Sequence, residues 1–210
     1  MKRFITAVVC FIFIVLPAVP AVSGFFSRTE TLRVVATYPV GEHDTEQTAL
    51  LIAGIQAKGS LLEKVRIYLT SGSSDVSIIE AEFDDFAPAL VKIETTKEEV
   101  NFVKNAFEVV VALKTDVNRR DFTSALIKLR KNTVLTGKVK KQQAEIATAE
   151  NRLLKIQEEL AQADEASLMI LLRERDQLQT WLVKLRKEAI TREAVRKDSE
   201  KMLRERFQFD

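Results

Sequence analysis

Apolar and polar positions along this chain change period several times, and each change marks a structural boundary. Leu32, Val34, Ala36 and Tyr38 alternate with Arg33, Val35 and Thr37, the period of two expected of a strand with one buried face, until Pro39 and Gly41 end it. From Asp44 to Ser71 the period lengthens. Leu51, Ile55, Leu62, Val65 and Leu69 recur at spacings of three, four or seven, the stripe of an amphipathic helix long enough to cover a small sheet. Glu46, Gln56, Glu63, Lys64 and Arg66 occupy its other faces. Asp44 is placed to accept from the first free amides, and Gln47 to complete a capping box. Gly54 and Gly59 each cost about 1 kcal/mol against alanine inside a helix, which marks Gly54 as a point of close approach to the sheet and Gly59 as a weak spot.

A loop is expected at Ser71-Gly72-Ser73-Ser74, then a short helix from Glu80 to Leu90 with Phe83, Phe86 and Leu90 on one side. Two strand-like runs follow, Val91 to Val103 and Phe107 to Val117, joined by a hairpin turn at Lys104-Asn105-Ala106. In the second run Phe107, Val109, Val111, Leu113 and Val117 share a face. In the first, Val91, Ile93 and Thr95 have odd parity whereas Val100 and Phe102 have even parity, so both sets can share a face only across an extra residue. The reading places this bulge within Lys97-Glu98-Glu99. Asn118 then caps a helix through Phe122, Ala125, Leu126 and Leu129.

Residues 138–206 are rich in Lys, Arg, Glu, Gln, Leu and Ala and contain no Gly or Pro. Val139, Ile146, Ala149, Leu153, Ile156, Leu160 and Ala163 form a heptad seam, allowing a polar position at Gln142. Past Ala163 the phase slips, and Leu168, Leu171, Leu178, Leu182, Leu185 and Ala189 form a second seam with Trp181 beside it. A helical hairpin turning at Asp164 to Ser167 fits this slip, and so does one long helix with a skip; the hairpin is preferred. The fold class is thus α+β, a small antiparallel sheet packed on a long helix, followed by a coiled-coil hairpin or one long helix. The expected organisation is a signal peptide over 1–24, a small α+β envelope domain over 25–131, a linker over 132–137, coiled-coil helices over 138–206 and a tail over 207–210.

The amino terminus changes the picture more than composition does. Lys2 and Arg3 precede an apolar run from Phe4 to Leu16, Pro17 and Pro20 break it, and Ala21-Val22-Ser23 offers small residues to a signal peptidase. A spanning helix wants about 20 apolar residues, so a cleaved secretory signal is preferred to an inner-membrane anchor over residues 4–22. The mature protein then begins near Gly24 or Phe25 in the periplasm. Cleavage removes Lys2 and Arg3 without an acid, taking the formal charge from +2 to near neutrality, which does not indicate a nucleic-acid partner. It also removes Cys10, the only cysteine. Disulfides, cysteine nucleophiles and thiolate metal sites are excluded together.

With those boundaries set, the string Tyr38-x-x-Gly41-x-x-Asp44-Thr45, followed by Ala49, Ala53, Ala57-Lys58, Leu62-Glu63-Lys64 and Tyr68-Leu69-x-Ser71, resembles a bacterial envelope domain found at the amino terminus of flagellar assembly protein T and related secreted proteins. The likeness covers about half the chain. It implies a structural or assembly module and carries no established active site.

Candidate chemistry is sparse. His43, the only histidine, lies between Glu42 and Asp44, but adjacent turn residues point apart and a surface turn explains them better than a metal site. Glu82, Asp84 and Asp85 have no loop of ligand spacing around them and read as a solvated helix face. No glycine-rich phosphate loop is present. Lys184, Arg186, Lys187, Arg192, Arg196 and Lys197 form a basic patch interleaved with Glu188, Glu193, Asp198 and Glu200, the pattern of a salt-bridged coiled-coil surface. No catalytic, cofactor-binding or metal residue is assigned, and the protein is expected not to be an enzyme. The expected role is a periplasmic structural or scaffolding protein that docks on a cell-envelope protein and has the option of self-association through the coiled coil. The alternative is a holdase-type chaperone using helical arms. Membrane contact is expected only through an uncleaved signal segment.

Overall fold

In the computed structural model, which describes residues 29–71, 76–191, 194, 195 and 197, the first strand is β1 (Thr29–Pro39). The signal segment, residues 72–74 of the loop and the 207–210 tail lie outside those residues. Helix α1 (Glu46–Thr70) follows, then α2 (Val76–Leu90), β2 (Glu94–Val103), β3 (Ala106–Asn118), α3 (Arg119–Lys131), α4 (Thr133–Leu160) and α5 (Glu165–Glu188). The strands form one antiparallel sheet in the order β1-β3-β2. The fold is α+β.

The strand parities decide which face is buried. Val34 of β1 and Val109, Val111, Leu113 and Val117 of β3 are buried, whereas Arg33, Val35 and Thr37 on the other face of β1 are exposed. Lys104 and Asn105 have φ of 48° and 66°, the left-handed pair that a two-residue hairpin turn requires for its twist to match the strands. Ala106 is already the first residue of β3, opposite Val103. The register of β2 shifts between Thr95 and Lys97, so Thr96 is the extra residue. The bulge therefore lies one position before the expected Lys97-Glu98-Glu99. Parity demands one insertion between Thr95 and Val100 without saying where, and here the Thr96 hydroxyl donates to the Ala112 carbonyl at 3.1 Å. With that insertion, Thr95, Val100 and Phe102 stand opposite Leu113, Val109 and Phe107.

α1 is buried on more than one stripe. Ala49, Ala53, Ala57 and Leu61 pack with Val34, Val109, Val111 and Leu113 of the sheet, the alanine row letting helix and sheet approach closely. Ile52 and Ile55 face Ile146, Ala149 and Leu153 of α4 and Leu182 of α5. Val65 and Leu69 join Phe83, Phe86 and Leu90 of α2 and Phe122, Leu126 and Leu129 of α3. The expected stripe is thus corrected: Ile55, Val65 and Leu69 are buried, Leu51 and Leu62 only partly, and the alanines and Leu61 carry the sheet contact. The helix is capped by Thr45, whose hydroxyl accepts from the Thr48 amide at 3.1 Å, rather than by Asp44. Gly54 is no point of close approach, since a Cβ built there meets nothing within 4 Å. The helix also runs unbroken through Gly59.

Two further boundaries differ from expectation. α2 begins at Val76, a full turn before Glu80, and buries Ile79 in addition to Phe83, Phe86 and Leu90. Residues 133–137 are not a linker but the start of α4. Asn132 accepts from the Leu135 amide at 3.0 Å and restarts the chain as helix one residue after α3 ends.

α4 and α5 form the preferred hairpin, with the turn at Ala161–Asp164 rather than at Asp164–Ser167, because Asp164 accepts from the Ser167 amide at 2.9 Å as the cap of α5. Hydrogen bonds from the Ser167 hydroxyl and then from its amide hold the Asp164 carboxyl below its usual range. Arg152 clasps Glu174 across the hairpin with two bonds of 2.7 Å, which lowers the Glu174 carboxyl in turn. Val139, Ile146, Ala149, Leu153, Ile156 and Leu160 are buried as the first seam requires. The second seam is shallower: Leu182 is buried, Leu178, Leu185 and Ala189 are partly buried, and Trp181 is exposed.

Candidate functional site

The turn between β1 and α1 holds the most buried charged cluster among the described residues. Asp44 turns its carboxylate inward, with its side chain 3% exposed. It accepts from the Gly41 amide at 2.9 Å, the Tyr38 hydroxyl at 3.0 Å and the Gln157 amide at 2.6 Å. A Cβ at Gly41 would stand 3.1 Å from the carboxylate, which would have to give by a few tenths of an ångström to admit it. Arg175 of α5, with its side chain 5% exposed, reaches Asp44 at 3.5 Å and donates to the His43 carbonyl at 2.7 Å. Gln179 donates to the Thr48 hydroxyl one turn along. Burial, ahead of the nearby charges, pushes the Tyr38 hydroxyl up, so that it remains a neutral donor. Each of the side chains Tyr38, Gln157, Arg175 and Gln179 donates to a neighbour in the chain, while the buried Gln157 Oε1 has no partner among the described residues. The arrangement can lock the helical hairpin onto the α+β layer, since β1, α1, α4 and α5 each contribute to it.

Sequence reasoning missed Arg175, although a signal was present. Leu171 and Leu178 bracket it at helical spacing, so 175 is a seam position held by a cation, and a buried cation needs a partner. A second such joint uses Glu150 of α4, which accepts from Lys58 of α1 and from Arg186 of α5, each at 2.8 Å.

The residues singled out in the sequence do not converge. His43 is exposed and contributes its carbonyl rather than its ring. Each acid of the α2 trio meets a cation from a different helix: Asp84 meets Arg66 of α1, Asp85 meets Lys140 of α4 and Glu82 meets Arg130 of α3. No group of three metal-ligating side chains occurs among the described residues. In the basic patch Arg186 gives one N–H to Glu150, and Arg192, Glu193, Arg196, Asp198 and Glu200 lie outside the described residues. No described helix is long and apolar enough to cross a membrane.

Large apolar side chains are exposed at several places, among them Met169, Ile170 and Val183 of α5, and an exposed aromatic pair stands at the end of the β2–β3 hairpin. Phe102 and Phe107 face each other with ring centroids 5.0 Å apart and are 64% and 56% exposed, flanked by exposed Val100 and Val103. The bulge at Thr96 gives Val100 and Phe102 the parity of the buried face that Phe107 shares, with Val103 on the opposite face, yet α1 does not cover them. Exposed aromatic side chains of this kind are a cost in a free molecule and an asset in an interface. Comparison with protein-family models, with curated proteins and with solved structures returns no match for this chain.

Proposed function

We propose that this is a non-enzymatic, periplasmic structural or scaffolding protein that docks on a protein of a cell-envelope assembly through its α+β layer. The observation that carries this reading is the exposed Phe102–Phe107 pair at the hairpin end, an aromatic anchor of the kind that dominates protein interfaces. Export rests on the signal-like residues 1–24, and the resemblance to the amino-terminal domain of flagellar assembly protein T points to the same kind of role. The holdase alternative asks for arms free to close on a client. Here α4 and α5 are engaged along α1, through the Asp44–Arg175 and Lys58–Glu150–Arg186 joints.

Mild crosslinking and pull-down from envelope extract, with wild type beside a Phe102→Ser/Phe107→Ser variant, tests the proposal. One or a few partners captured by wild type and lost in the variant is the expected result. A broad spectrum of unfolded clients retained by the variant would replace scaffolding with the chaperone reading.

A further inference from the structure

α1 packs on β1 and β3, leaving the inner side of β2 beyond its reach, and a cleft of about 1020 Å³ opens there. This is at the upper end of the roughly 300–1,000 Å³ of small-molecule sites. Its walls are apolar: Leu50 and Leu51 of α1, Val111 and Leu113 of β3, Ile146 of α4 and Ile93 ahead of β2. Gly54 also lines it, and the open space where a Cβ would stand is part of the cleft's depth.

Charged side chains also line the cleft. Lys58, Lys92 and Arg186 line it against the single acid Glu98. Lys92 is held by Glu94 at 2.6 Å. Lys58 and Arg186 share one carboxylate, Glu150, whose side chain is 11% exposed. Arg186 uses a single N–H on Glu150, and a guanidinium has five.

We infer that the cleft binds a long-chain fatty acid, with its carboxylate on Arg186 and Lys58 and its acyl chain over Gly54 between α1 and the sheet. A hydrocarbon chain has no polar groups to leave unpaired against Leu, Val and Ile walls. An extended peptide has them at every residue, and the edge of β2 that would pair them is interrupted at Thr96, between the lining residues Thr95 and Glu98. An anionic head can take the N–H groups that Arg186 leaves unused on Glu150 and forms the strong, charge-assisted type of bond to arginine. This inference is independent of the docking role, since the hairpin end takes no part in it.

The test is calorimetric titration of the full mature chain with oleate below its aggregation concentration, alongside oleyl alcohol. One oleate per chain is expected. Gly54→Phe should abolish binding with no fall in the thermal midpoint, because phenylalanine fills the cleft and favours helix over glycine, while Gly54→Ala should bind nearly as wild type. Arg186→Gln should weaken oleate about tenfold, the scale of one charge-assisted bond, and leave oleyl alcohol unchanged. Three results overturn the inference: no binding by the full chain, as when its own carboxy-terminal segment fills the cleft; several molecules bound per chain regardless of Gly54→Phe; or equal loss of acid and alcohol in Arg186→Gln.

Discussion

Replacing Asp44 and replacing Arg175 break the same ion pair but strand different groups. Without Arg175, the Asp44 carboxylate still accepts from Gly41, Tyr38 and Gln157. Without Asp44, the Gly41 amide and the Tyr38 hydroxyl lose their acceptor together, Gln157 keeps only its 2.8 Å bond to the Tyr38 oxygen, and Arg175 keeps the His43 carbonyl and a 3.5 Å contact with exposed Asp176 while its charge stays buried. Asp44→Leu should therefore cost about 3–5 kcal/mol, the scale of a stranded buried charge. Arg175→Leu should cost less, about 1–3 kcal/mol. Urea unfolding of the two variants measures this, and the reverse order would mean that Arg175 rather than Asp44 organises the cluster. Asp44 was legible in the sequence as a cap because it stands just ahead of an apolar stripe. Thr45 takes the cap instead, and Asp44 is drawn inward by the Gly41 amide and by Gln157 and Arg175, which lie more than a hundred residues away.

Among the elements, the helical hairpin depends on its turn, and the turn depends on Asp164. Its carboxyl is held below the ordinary range of an aspartate by the hydrogen bonds from Ser167 in the folded chain. The anion is thus favoured by folding, so this stabilisation is fully present above the unfolded value and disappears as the pH falls through the lower, folded one. The thermal midpoint of Asp164→Ala should lie below that of wild type at pH 7, and the gap should narrow below about pH 4. A gap that stays constant down to pH 2 would show that the charge contributes nothing. The sequence marked this turn by the slip between two seams, and it marked the β2 bulge by a change of parity. It placed both features within a few residues of their positions. Periodicity reports that a phase has changed between two apolar sets, whereas a cap or a hydroxyl bond such as Thr96 to Ala112 decides the residue at which it changes.

For the molecule as a whole, α1 is the shared wall of all three apolar clusters, and the tail supplies the other wall of one of them. Residues 29–131 alone would leave Ile52 and Ile55 without Ile146, Ala149, Leu153 and Leu182, and would lose Val139 from the cluster around α2 and α3. That fragment should bind a hydrophobic dye and unfold well below the full chain, and adding residues 133–191 should restore both properties. A dye-silent fragment as stable as the whole would show that the tail is an appendage. The expected boundary at 132–137 came from a shift in composition near Gly137, which reports surface chemistry. Packing across that boundary does not alter the composition on either side.

By itself the sequence determined the order and type of the elements as far as α3, the buried parity of β1 and β3, the place of the β2–β3 hairpin turn and the Asn118 cap, because each follows from local period or from a side chain acting on a neighbouring amide. Only the tertiary structure decided which sides of α1 are core, that Gly54 opens a cleft rather than closing one, that Arg175 is buried, and that the helical hairpin lies against the sheet's helix. Those outcomes depend on groups distant in the chain meeting at one place. An alanine row, a glycine or a charged seam residue carries the same local signal whether it faces water, a sheet or a partner charge.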